Sequence, residues 1–201
     1  IVQSSTQANS YGVYIFANAT NNIIFNNTIT TSAGNDFGAY ILSSSNNSVY
    51  NNTITTSGSG GSGVAIRTSS DYNSVYGNNI TTSSDSAYGA DIQTNSKSNL
   101  LYNNTITTSG GDGYGAYIAG SGSEYNLVYN NTITTSGDGG YGAAIQTSSN
   151  NSIYANEITT NGSINGYGIS ILSSSRNNLV YNNTITTSGL QGFALYISSS
   201  Y

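Results

Sequence analysis

No histidine, cysteine, methionine, tryptophan or proline occurs in these 201 residues, and only 11 carry a charge. Each absence removes a class of chemistry. Without His or Cys there is no Ser-His-Asp or Cys-His nucleophile, no disulfide, and no soft or imidazole ligand set for zinc or copper. Three basic residues, Arg67, Lys97 and Arg176, cannot neutralise a polyphosphate backbone, so no nucleic-acid partner is expected. The net charge of −5 is scattered, with no acidic tail. No apolar run reaches the length of a membrane span, and the start at Ile1 reads as a processed product or a fragment without a signal peptide.

What is abundant is small and polar. Ser, Thr, Asn and Gly make up 113 of the 201 residues. Such a composition alone would suit a disordered chain, but 18 Tyr, 4 Phe and a regular scatter of Ile and Val oppose that reading.

The regularity is a repeat. The hexapeptide NNTITT begins at Asn26, Asn51, Asn103, Asn130 and Asn182, and its first Ile recurs as Ile29, Ile54, Ile80, Ile106, Ile133, Ile158 and Ile185, 25 to 27 residues apart. A second marker, a Gly after an aromatic residue in every copy but the third, where Ser62 precedes it, recurs as Gly12, Gly38, Gly63, Gly89, Gly115, Gly142 and Gly168, with Ala194 in the last copy. Apolar residues alternate with polar ones in three short bursts per copy, which is strand periodicity. In one copy Ala39 and Ile41, then Val49, then Ile54 share a face. The spacing predicts an all-β, single-stranded parallel β-helix of seven to eight coils, about 26 residues and three short strands each. It reads as one solenoid over 1–201 without linkers, its repeats clear from 11 to 201.

Val49 and Ile54 are five residues apart yet both face inward, so the chain bends between them. The first bend position holds Asn, Gly or Ala, as a left-handed residue would. The second is Asn in every copy: Asn27, Asn52, Asn78, Asn104, Asn131, Asn156 and Asn183. These predict an inward asparagine ladder that satisfies groups the bend would otherwise bury unpaired.

This V-Y-N-N-T-I pattern resembles the parallel β-helix repeat of pectin-active enzymes, copper-processing periplasmic proteins and many microbial surface proteins. The resemblance covers nearly the whole chain from Tyr11 and implies a right-handed coil. It implies little about function, because this solenoid hosts different activities.

Outward positions become columns with a repeat of about 4.8 Å. One column is aromatic in every copy: Phe25, Tyr50, Tyr76, Tyr102, Tyr129, Tyr154 and Tyr181. Another runs Tyr11, Phe37, Ser62, Tyr88, Tyr114, Tyr141, Tyr167 and Phe193. Such columns are stabilising ring ladders, or a stripe for polysaccharide. Outward Thr pairs stand at Thr28/Thr30, Thr53/Thr55, Thr105/Thr107, Thr132/Thr134 and Thr184/Thr186, interrupted by Asn79 and Glu157. They resemble the ice-binding face of β-solenoid antifreeze proteins, although Thr also favours exposed strands for its own reasons.

Asn-x-Ser/Thr sequons begin at Asn18, Asn26, Asn46, Asn51, Asn79, Asn103, Asn130, Asn150, Asn161 and Asn182. Chance alone would give about nine in this composition, but five share one corner of the coil. Asp36, Asp85, Asp112 and Asp138 lie in Gly-rich loops, one per loop, and read as solvated turn residues, too few for calcium. With no carboxylate cluster and Arg67 and Arg176 about four coils apart, no enzyme, metal or other cofactor is expected.

The sequence therefore reads as an extracellular or cell-surface structural or adhesive solenoid. Its expected partners are copies of itself, stacked head to tail into a filament or surface layer, and glycans, covalent or bound. The two ends, IVQSSTQANS and Ile197 to Tyr201, carry no capping pattern. Ice binding and polysaccharide binding are the alternatives.

Overall fold

The computed structural model describes residue 7 and residues 9–198; residues 1–6, 8 and 199–201, where much of the end pattern above falls, lie outside them. The chain winds into a parallel β-solenoid with three strands per coil. One coil has strands Ala116–Ala119, Leu127–Tyr129 and Thr132–Thr135. Among the described residues, equivalent strands of successive coils pair in parallel, forming one sheet of eight strands and two of seven. Among the described residues no helix is long and apolar enough to cross a membrane.

Register follows from the repeat. Ile106 pairs with Ile80 on one side and Ile133 on the other, and Ile92 with Ile66 and Ile118. The inward Ile, Val, Leu and Ala of all three sheets form one continuous core, with Ile54, Ile80 and Ile106 fully buried. A one-residue slip of any strand would turn this column outward, so apolar burial and alternation fix the register together.

The second strand turns into the third through two residues. The first is left-handed in every coil, from φ 53° at Asn51 to 64° at Gly77. Asn tolerates that region and Gly enters it freely, which accounts for the residue types found there. Ala155 stands there too, at φ 54°, with no such advantage.

The recurrent Gly before the first strand has a different task. Its backbone runs against the third strand of its own coil and the next coil's carbonyl. A Cβ at Gly115 would overlap the Ile133 Cγ2 methyl and lie 2.6 Å from the Gly142 carbonyl oxygen. Gly115→Ala is therefore expected to lose about 1–3 kcal/mol, the range for overpacking a close-packed core. Urea unfolding checks this, and an unchanged midpoint would show that the corner can relax.

Candidate functional site

The interior is lined by two amide ladders, not one. Asn27, Asn52, Asn78, Asn104, Asn131, Asn156 and Asn183 point inward at the bend, and each Nδ2 up to Asn156 donates to the Oδ1 of the next coil's Asn at 3.0–3.2 Å. The second ladder stands before the middle strand. Asn22, Asn47, Asn73, Asn99 and Asn126 each donate from Nδ2 to the next Asn at 3.0–3.2 Å, ending on Asn151. A third buried column consists of Thr31, Thr56, Thr82, Thr108, Thr135 and Thr160, whose hydroxyls donate to loop carbonyls five or six residues on. These polar columns satisfy the corners of the coil.

On the second sheet Phe25, Tyr50, Tyr76, Tyr102, Tyr129, Tyr154 and Tyr181 form an uninterrupted stack. Neighbouring centroids are 4.8–5.4 Å apart and ring planes agree within 15°. The spacing is that of the strands themselves. Each inner ring spends both faces on its neighbours, so the column presents edges to solvent rather than the open faces on which a sugar ring would lie.

The third sheet carries the Thr pairs outward. Thr30, Thr55, Thr81, Thr107, Thr134, Thr159 and Thr186 make an unbroken rank, while exposed Asn79 and Glu157 interrupt the rank beside it.

The first sheet departs most from periodicity. Its ring column stacks at 5.5 Å between Tyr11 and Phe37 and at 4.6–5.1 Å from Tyr88 through Tyr167, with Phe193 tilted at the end. Tyr40, Tyr117 and Tyr196, from the next outward column, lean onto these rings. Ser62 breaks the stack, and Arg67 fills the break. Its guanidinium lies 4.7 Å from the Phe37 centroid, a ring-to-ring spacing. It donates from Nε to Asp91 Oδ1 at 3.1 Å and from Nη2 to Asp91 Oδ2 at 2.5 Å, and the Ser62 hydroxyl donates to the same Oδ2 at 2.9 Å. The Asp91 side chain is wholly inaccessible to solvent. Burial opposes the charge on Arg67, but the adjacent carboxylate outweighs it and the guanidinium pKa is raised. The pair was missed in the sequence because its partners stand 24 residues apart, joined only by the coil's diagonal.

The same sheet holds the most perturbed phenols. Burial, then the neighbouring Tyr88 and Asp91, pushes Tyr117 up to about 12; burial, then Tyr141, raises Tyr114 further. A phenol whose pKa is raised on folding holds its proton more tightly in the folded state than in the unfolded chain. The associated stability is complete below pH 10 and is lost as the pH rises through about 12. Ultraviolet titration is expected to show a late phenol step from Tyr114 and Tyr117, with unfolding accompanying it. Ionisation of all tyrosines in one early step would contradict this.

The sequon asparagines sit at the surface. Asn18, Asn26, Asn46, Asn51, Asn79, Asn103, Asn130, Asn161 and Asn182 are exposed and Asn150 is half-buried. The loop aspartates do not behave uniformly. Asp36 is buried, not solvated as its loop composition suggested, because its carboxylate accepts the Ser10 N–H at 2.7 Å and the Ala33 N–H at 3.2 Å. Asp85, Asp112 and Asp138 are exposed; Ser163 donates its hydroxyl and N–H to Asp138 and lowers that carboxyl's pKa.

Among curated proteins, none matches the chain. Solved structures give distant likenesses. The A-module of the Azotobacter vinelandii mannuronan C-5 epimerase shares 15% identity over 88% of this chain and 58% of its own, with a TM-score of 0.47. An alginate lyase from a Paenibacillus species shares 11% identity over 90% of this chain and 99% of its own, with a TM-score of 0.26. The chain thus spans 58% of the length of the epimerase module. Residues 1–110 match the family described as periplasmic copper-binding protein (NosD). Copper's soft and imidazole ligands are absent from the sequence, and no group of three acidic side chains gathers among the described residues, so this chain does not fit that metal. Residues 91–201 match the right-handed β-helix region. With three parallel sheets, about 26 residues per coil and a family match over each half, the chain belongs to the right-handed parallel β-helix repeat family.

Proposed function

We propose that this β-helix is a structural rod of an extracellular or cell-surface assembly, not a catalyst. The observation carrying this reading is the second-sheet column, where seven aromatic rings spend their faces on coil-to-coil contact. Ring ladder and amide ladders both stiffen the stack along its axis. In an adhesive filament or surface layer, a further copy of the chain would add coils head to tail through the same parallel pairing. The periplasmic description of the matched family agrees with a place outside the cytoplasm. N-glycans, in a secreted chain, would occupy the exposed corner at Asn51, Asn103, Asn130 and Asn182, since the ladder amides face a packed interior.

Immunogold labelling of intact native cells, with electron microscopy of the released material, tests the proposal. Label outside the cell on rods or fibres is expected. Label confined to the cytoplasm, or compact particles alone, would overturn it. Polysaccharide binding is a second reading, favoured by the polar break at Ser62, Arg67 and Asp91 on the first sheet. Glycan pull-down that is lost on Arg67→Ala, in protein still folded, would replace the structural reading with this one.

A further inference from the structure

The absent residues have a chemical consequence on this surface. Cys and Met are the side chains that ordinarily intercept oxidants, and Trp and His are missing as well. Tyrosine is therefore the most readily oxidised group in the chain. Six tyrosines, Tyr50, Tyr76, Tyr102, Tyr129, Tyr154 and Tyr181, stand in one column with centroids 4.8–5.0 Å apart and planes within 9°.

We infer that this column is a site of oxidative cross-linking between copies of the chain, driven by hydrogen peroxide and a haem peroxidase. Two phenols each give one electron to the oxidised haem and one proton to water. The two phenoxyl radicals join through ring carbons ortho to oxygen, and the hydrogens on those carbons move to the oxygens, restoring both aromatic rings. Overall two phenols and one hydrogen peroxide yield one biphenol and two waters.

Geometry decides where the bond forms. An aryl–aryl bond needs two ring edges to meet, whereas rings within the column meet by their faces. Coupling inside one rod is thereby disfavoured, and the outward edges are left for a second rod. Face-to-face overlap also lets the electron vacancy pass from ring to ring, so oxidation anywhere in the stack is available at every edge. Tyr72 and Tyr125 provide an internal comparison, because they are more exposed, at 63% and 56%, but belong to no stack. The inference rests on the structural-rod reading only in supplying copies side by side; the coupling itself is a property of the purified chain.

The test treats the purified chain with peroxidase and hydrogen peroxide, then maps the linked peptides. The expected result is oligomers that resist denaturant, two hydrogens lighter per link, joined through the six column tyrosines. A Tyr72→Phe/Tyr125→Phe variant is expected to couple as the parent does. In a Tyr76→Phe/Tyr102→Phe/Tyr129→Phe variant the stack is kept, as Phe25 already stacks on Tyr50, and the yield is expected to fall to about half or less, since half of the column's phenols are gone. Links mapping mainly to Tyr72 and Tyr125, absence of oligomers, or full coupling by the triple variant would overturn the inference. If the triple variant does not fold, the peptide map of the parent decides alone. Immunogold location is a separate readout, so failure of coupling and failure of the surface-rod reading are told apart.

Discussion

Asn104→Ala is expected to destabilise the solenoid by about 1–3 kcal/mol, the cost of one buried group left unpaired. Asn104 Oδ1 accepts both the backbone N–H and the Nδ2–H of Asn78 at 3.0 Å, and its own Nδ2 donates to Val75 O, Tyr102 O and Asn131 Oδ1. Removing the amide orphans the Asn78 N–H, while the Val75 carbonyl keeps its place in the strand pairing with Leu100–Tyr102. Asn131 keeps the Asn104 N–H as a donor, and Tyr102 keeps the Gly77 N–H. Water cannot replace the amide, because the site is 2% exposed and its neighbours pack the core. Thr107→Ala, three residues away on the outer face, is expected to stay within about 0.5 kcal/mol. Urea unfolding of the two variants beside the parent checks the contrast. Equal shifts would mean that the amide's hydrogen bonds are not what holds the corner.

Arg67→Ala is expected to cost about 3–5 kcal/mol, the penalty for leaving one member of a buried ion pair uncompensated. The variant strips two charge-assisted hydrogen bonds from Asp91 and leaves it only the Ser62 hydroxyl among its side-chain partners. It also reopens the gap beside Phe37 that the guanidinium fills. Replacing both partners, Arg67→Ala with Asp91→Ala, is expected to recover a large part of the loss. A double-mutant cycle by denaturant unfolding gives both quantities. A double variant no more stable than Arg67→Ala would show that packing, not charge, sets the cost.

The repeat made the three-strand coil, its inward Ile column and the bend legible, because each feature recurs with one period and burial demands it. The second amide ladder was equally periodic. Asn47 stands two residues before inward Val49, as Asn73 stands before Val75 and Asn99 before Leu101. It was hidden by composition, since a Ser- and Asn-rich stretch before a strand reads as a turn. Thr31 and its equivalents were hidden for a similar reason: in the run Thr-Ile-Thr-Thr only alternation shows that the last Thr faces inward. The Arg67–Asp91 pair lay beyond reach of pattern. It depends on the diagonal between adjacent coils and on a missing ring at Ser62, and neither recurs. Function was the least legible, because the residues that repeat are those the coil itself requires.

Both amide ladders run one way. In every rung that joins two coils, Nδ2 belongs to the earlier coil and Oδ1 to the later. The side-chain dipoles therefore add instead of cancelling, and each rung polarises the next. The solenoid is consequently a vector. Its direction is set by a single amide orientation repeated from coil to coil.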